Sequence, residues 1–267
     1  VTRRRRGCSR ARARRRHWTC APSIRTSTSA MTSRTCISLV LATALAATAN
    51  AAEPPRVSPA TDAASAGLVE IRTLSPGIDM DIRYANANNF TGARVPGYEA
   101  PSCYLLAPVA KALAQVEQDL RAQGFGLRLY DCYRPVRSVQ AFMAWVNDPR
   151  ELSRKAQQYP DLDKPRLLAD GYIAERSGHS RGATVDLGLL DCRTGACTPL
   201  DIGTDFDFFG PRAHTRTSGL STVQQANRQQ LVQAMARHGF VNYPQEWWHY
   251  TLQPEPDPGT AYDVPVR

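Results

Sequence analysis

Three observations predict a single α+β domain over residues 68–267 of this 267-residue chain, with a mostly antiparallel central sheet flanked by helices. Segments that alternate apolar and polar residues are mixed with segments of helical apolar spacing. Their order lacks the regular βαβ alternation of a parallel sheet. No internal repeat is visible, and the length allows one or two domains with a substantial core.

Taken in order, residues 52–67 are rich in Ala, Pro and Ser and read as a flexible lead-in. Leu68–Leu74 and Met80–Tyr84 alternate as strands do. Asn86–Glu99 is polar and glycine-containing, a long loop. Leu106, Val109, Ala110, Leu113, Val116 and Leu120 have helical spacing, Pro108 suits the first turn, and Gly124 ends the helix. Leu127–Tyr133 reads as a strand. Pro135 sits just inside a second helix, with Val139, Phe142, Met143 and Val146 on one face. Thr184–Leu189 is a strand carrying Asp186. Ser221 caps a long helix that buries Leu231 and Met235 and stops at Gly239. Trp247–Leu252 is the last strand.

The formal net charge of +9 is unevenly placed. Residues 1–51 carry 11 Arg and no Lys, Asp or Glu, which leaves 22 basic and 24 acidic residues beyond them, a net of −2. A near-neutral domain points to neither nucleic acid nor anionic lipid as partner. Residues 1–30 are Arg- and Ser-rich without periodicity and read as upstream sequence from an early start, or as disordered. Residues 31–51 read as a secretory signal peptide: Met31-Thr-Ser-Arg34 is the charged start, Ile37–Ala49 the apolar run, and Ala49-Asn50-Ala51 the cleavage site. The run is shorter than the roughly 20 residues of a membrane span. The expectation is a periplasmic or secreted protein with no stable membrane association after cleavage; an uncleaved signal anchor is the alternative.

Four cysteines follow the leader: Cys103, Cys132, Cys192 and Cys197. An even number in an exported chain suggests disulfides. Four Cys allow three pairings. Cys192-Arg-Thr-Gly-Ala-Cys197 reads as a turn closed by a local bridge, which leaves Cys103–Cys132 as the second pair. No C-x₂-C spacing points to a cysteine zinc site.

Two segments carry the chemistry. Ser177-Gly-His-Ser-Arg-Gly182 leads into a strand bearing Asp186, and Glu246-Trp-Trp-His249 comes much later. Two neutral imidazoles and a carboxylate are a three-ligand set for Zn²⁺ that leaves a fourth position for water. A further carboxylate beside that position is what a metallohydrolase needs as general base. On a strand, residues three apart face opposite sides, so Glu246 and His249 share a site only if Glu246 lies in a turn before the strand. A lone His is more often a packed or surface residue, and His214 in a loop and His238 at a helix C-terminus fit that reading.

These motifs, with Arg83-Tyr-Ala85, Asn88-Asn-Phe-Thr-Gly92, Val95-Pro-Gly-Tyr98, Asp131-Cys-Tyr-Arg-Pro135, Asp205-Phe-Asp-Phe-Phe209 and Tyr262-Asp-Val-Pro-Val266, resemble the zinc D,D-peptidase superfamily. The likeness is greatest to the D-alanyl-D-alanine dipeptidases of the VanX type, from about residue 70 onward. The resemblance implies one Zn²⁺ per chain, with His179, Asp186 and His249 as ligands, Glu246 as general base and acid, and Arg134 stabilising the developing oxyanion. It implies Ser177, Asp207 and Tyr84 as the groups that hold the substrate's N-terminal side, and a small dipeptide as substrate. Unlike the resistance enzymes of that type, this chain carries a leader and four further Cys, so turnover of exported peptidoglycan fragments is the expected setting. The alternatives are a D,D- or L,D-carboxypeptidase that trims stem peptides, and a non-catalytic binding module on the same fold. Retention of Glu246 argues against the second.

Overall fold

From its N-terminus the computed structural model, which describes residues 54–267, runs through β1 (Arg56–Val57), β2 (Leu68–Glu70), β3 (Asp79–Met80), β4 (Tyr104–Leu106), α1 (Ala107–Arg121), β5 (Phe125–Asp131) and α2 (Val136–Val146). It continues through α3 (Lys155–Gln158), α4 (Lys164–Ala169), β6 (Thr184–Asp191), β7 (Thr198–Pro199), α5 (Thr222–Ala236), β8 (Phe240–Asn242), β9 (His249–Leu252) and β10 (Thr260–Ala261). The proposed leader, its cleavage site and residues 1–30 lie outside the described residues.

The main sheet has the order β3-β5-β6-β9-β8, with β7 paired to the far end of β6. Only β3 and β5 run parallel; every other pairing in this sheet is antiparallel. Helices flank it, so the α+β expectation holds. β6 is buried along nearly its whole length, as suits a central strand covered on both faces. α1 buries Val109, Ala110, Leu113, Val116 and Leu120, all at most 1% exposed, and packs on β5 and α5. A fully buried Val or Leu contributes roughly 1.5–3 kcal/mol, so this stripe anchors the helix.

Register is what places the site. Asp131 on β5 stands opposite Asp186 on β6, after a register irregularity past Leu129. Asp186 in turn stands opposite His249 on β9. Directly paired residues project to the same face of a sheet. Three adjacent strands therefore line up Asp131, Asp186 and His249 in one row.

Several expectations are corrected. The described part of the lead-in, residues 54–67, is not simply loose: Arg56 and Val57 pair in parallel with Thr260 and Ala261, and Ala66 is buried. The strand expected over Leu68–Leu74 stops at Glu70, whose carboxylate accepts the Arg72 N–H and opens a 3₁₀ turn at Ile71–Thr73. The strand expected over Met80–Tyr84 likewise gives way to a 3₁₀ turn at Arg83–Ala85, which carries Tyr84 inward. Pro135 precedes α2 as its N-cap instead of lying within it. Ser221 caps α5 as expected, in a reciprocal capping box with Gln224.

Candidate metal centre and substrate cleft

All eight residues singled out from sequence line one cleft: Tyr84, Arg134, Ser177, His179, Asp186, Asp207, Glu246 and His249. His179 sits in the 3₁₀ turn Gly178–Arg181, where the Ser177 Oγ accepts the His179 backbone N–H at 3.2 Å. Gly182 closes that turn at φ 69°, and a Cβ there would meet Leu68 Cδ2 at 2.9 Å. Glu246 does lie in the turn ahead of β9: its N–H donates to the Tyr243 carbonyl and its carbonyl accepts from His249. That turn brings Glu246 Oε2 within 3.4 Å of His249 Nδ1.

The three candidate donors form a triangle. His179 Nε2 is 3.3 Å from His249 Nδ1. Asp186 Oδ1 is 3.3 Å from His179 Nε2 and 3.1 Å from His249 Nδ1. Despite that proximity, the buried Oδ1 has no hydrogen-bond partner of good geometry. A buried, unsatisfied carboxylate oxygen calls for an explanation. Bonds of about 2.0–2.1 Å in a tetrahedral site separate neighbouring donors by about 3.3–3.4 Å, so the triangle suits one small four-coordinate cation. His179, Asp186 and His249 are the residues that could hold it.

The surrounding groups fix these donors. His179 Nδ1 donates to the Cys132 carbonyl at 2.7 Å, which leaves Nε2 for the cation. Asp131, fully buried, accepts from Tyr98 Oη at 2.5 Å and from Arg134 Nε and Nη2 at 2.9 and 2.7 Å. The Arg134 guanidinium lies 5.1 Å from the Tyr84 ring centroid and 5.0 Å from that of Phe142, so ring faces and a carboxylate together hold it rigid. Neither Asp131 nor Tyr98 was singled out from sequence, although both fall in the motifs quoted above. The available signal was the spacing of Asp131 three residues before Arg134.

The acids are tuned differently. Burial works against the Asp186 charge, but the His179 and His249 imidazoles outweigh it and hold the carboxyl well below the usual range. Burial pushes Glu246 well up, the Asp186 charge adds to this, and Arg134 opposes it. Asp207 is also pushed well up, first by burial and then by Asp186. Its backbone has φ 59°, the positive-φ exception among the described non-glycine residues. Such a conformation costs energy and persists where its surroundings enforce it. Here it presents the carboxylate to the Tyr84 hydroxyl, which donates to its two oxygens at 3.0 and 3.2 Å. The two other histidines among the described residues lie apart from the donor triangle: His214 contacts Tyr172 Oη at 3.0 Å, and His238 contacts Asp119 at 2.8 Å.

A donor triangle, a buried acid against one donor and a fixed Arg make the chemical set of a mononuclear metal hydrolase. The chain belongs to the peptidase M15 family, described as D-ala-D-ala dipeptidase, whose profile matches residues 64–267. It is 39% identical over 201 residues to the D-alanyl-D-alanine dipeptidase of Enterococcus faecium, covering 75% of this chain and 98% of that protein. It is 40% identical over 193 residues to that of Streptomyces coelicolor, covering 72% and 95%. With that of Escherichia coli the identity is 32% over 185 residues, covering 69% and 84%.

The two expected disulfides are both present. Cys103–Cys132 joins the segment before β4 to the residue after β5, and Cys192–Cys197 closes the turn between β6 and β7.

Proposed function

We propose that this chain is an exported, Zn²⁺-dependent dipeptidase that hydrolyses D-alanyl-D-alanine to two D-alanines. The donor triangle with Glu246 against it carries the reading. One Zn²⁺ per chain would be held by His179 Nε2, Asp186 Oδ1 and His249 Nδ1. When bound it supplies a Lewis acid that acidifies water and polarises the scissile carbonyl.

The chain's own groups do the rest. Glu246 takes a proton from the attacking water and passes it to the leaving amine as the C–N bond breaks. Its raised pKa suits the second half of that task, because a weaker acid holds the proton until the amine needs it. Arg134 stabilises the negative charge that forms on the carbonyl oxygen. Asp131 occupies its Nε and Nη2, which leaves Nη1 without a protein acceptor among the described residues. A fixed donor of this kind is worth roughly 10²–10³ in rate. Asp207, Tyr84 and Ser177 receive the substrate's free ammonium, and the Asp207 carboxylate is the counter-charge.

Export rests on the leader expected at residues 31–51, with the mature chain starting near Ala52 and residues 68–267 as the catalytic domain. The two disulfides support an oxidising compartment, periplasmic or secreted. Among the described residues no helix is long and apolar enough to cross a membrane. Outside the cytosol, the natural source of substrate is dipeptide released from peptidoglycan, and neither nucleic acid nor membrane is a partner.

The test is an assay of the purified mature protein with D-Ala-D-Ala and with a tripeptide ending in the same pair. The dipeptide is cut, and the tripeptide is cut more than about 100-fold more slowly in kcat/KM, a difference of about 2.8 kcal/mol. Equal rates would instead identify a carboxypeptidase.

A further inference from the structure

We infer that Arg176 is the counter-charge for the substrate's C-terminal carboxylate and sets the requirement for a free carboxyl end. The assignment rests on the dipeptidase reading above. A dipeptide enters as a zwitterion. Its ammonium meets the Asp207–Tyr84 pair, but its carboxylate also leaves water and needs a cation to compensate the lost hydration.

Two cationic side chains line the cleft, Arg134 and Arg176. Arg134 is committed: Asp131 holds its Nε and Nη2, and Asp186 Oδ2 lies 3.6 Å from Nη2. A substrate carboxylate on the same guanidinium would compete with the charge that develops during the reaction. Arg176 has no such commitment. Its side chain is exposed, and it makes no ion pair or side-chain hydrogen bond among the described residues.

Its place in the chain suits the task. Arg176 directly precedes Ser177, which caps the turn that carries His179. Arg176 is thereby tethered three residues from a proposed metal ligand, in the lining of the cleft. Arg176 also borders an adjoining crevice walled by Pro54, Pro55 and Val57. Neighbouring Glu175 borders the crevice but not the cleft. A planar guanidinium meets a carboxylate in two parallel hydrogen bonds, a match that an ammonium does not reproduce.

The experiment compares D-Ala-D-Ala with D-Ala-D-alaninamide, which lacks the terminal charge, in the wild type, Arg176→Gln and Arg176→Lys. The wild type prefers the free acid. Arg176→Gln raises KM for the free acid about 10–100-fold while kcat changes little, since binding is lost equally from ground and transition states. The amide is affected less than about 2-fold, so the preference collapses, and Arg176→Lys recovers part of it. An unchanged thermal midpoint and zinc content separate this from misfolding. If Arg176→Gln slows both substrates equally, or neither, the assignment is overturned alone. A wild type that leaves D-Ala-D-Ala intact overturns the dipeptidase reading and this assignment with it.

Discussion

The Nδ1 of His179 lies 2.7 Å from the backbone carbonyl oxygen of Cys132. Cys132 is at once the disulfide partner of Cys103, the neighbour of Asp131, and two residues from Arg134. One covalent link therefore steadies the backbone that orients a candidate ligand and the candidate oxyanion donor.

Loss of this bridge is expected to weaken both stability and metal retention. Chain-entropy arguments assign about 3.7 kcal/mol to a loop of this length, against about 2.2 for the short Cys192–Cys197 loop. Cys103→Ala/Cys132→Ala should lower the unfolding free energy by about 1.5 kcal/mol more than Cys192→Ala/Cys197→Ala, and it alone should loosen Zn²⁺ in chelator competition. The mature wild type, denatured without reductant, should show no reactive thiol; four reactive thiols would refute the disulfide framework.

The ligands and the base should separate in their effects. His179→Ala, Asp186→Ala and His249→Ala should lose metal and activity together, because each leaves two protein ligands where a tight catalytic site has three. Glu246→Ala should keep its metal and lose nearly all turnover. Metal analysis of each purified variant beside its kcat makes the comparison. A Glu246→Ala enzyme with near-normal kcat would sink the mechanism.

Asp131 offers a sharper test of positioning. It touches no proposed substrate atom, yet it holds Arg134 by two hydrogen bonds and lies 3.4 Å from His179 Nδ1. Asp131→Asn keeps the shape and removes the charge. Substitutions of groups that support metal ligands commonly cost about 10–100-fold in affinity or activity. The expected loss is in kcat and in Zn²⁺ affinity, with KM for the dipeptide nearly unchanged. A rise in KM alone would place Asp131 in substrate binding instead.

What was legible in the sequence follows from what is local. The turn holding Glu246 could be inferred because residues three apart on a strand cannot share a face, and Glu246 and His249 do meet. The cap at Ser221 and the apolar stripe of α1 are likewise short-range patterns. The row of Asp131, Asp186 and His249 was not legible, because strand register depends on pairing between distant segments. Composition suggested a loose lead-in for the same reason: the partner of Arg56 is Thr260, at the other end of the chain. The two strands that stop short of their expected ends show the limit of alternation over five to seven residues. In one of them a single side chain, Glu70, captures a backbone N–H and turns the chain.

Substrate size gives the last prediction, and it depends on Asp207. The carboxylate is buried at 4% exposure and hydrogen-bonded to Tyr84, so a ligand that reaches it must supply a compensating group. A free α-ammonium does so; an acylated nitrogen does not. Losing one charge-assisted hydrogen bond forfeits of order 1.5–3 kcal/mol, or about 10–150-fold in kcat/KM. N-acetyl-D-Ala-D-Ala adds little bulk and isolates the charge from the steric closure that longer peptides also meet. It should be cut at least about 10-fold more slowly than the free dipeptide. Asp207→Ala should narrow that gap by weakening only the free substrate, and competition between the two substrates in one reaction measures the ratio directly. If the acetylated dipeptide is cut as fast as the free one, the ammonium pocket is wrong, and the site trims the ends of longer chains.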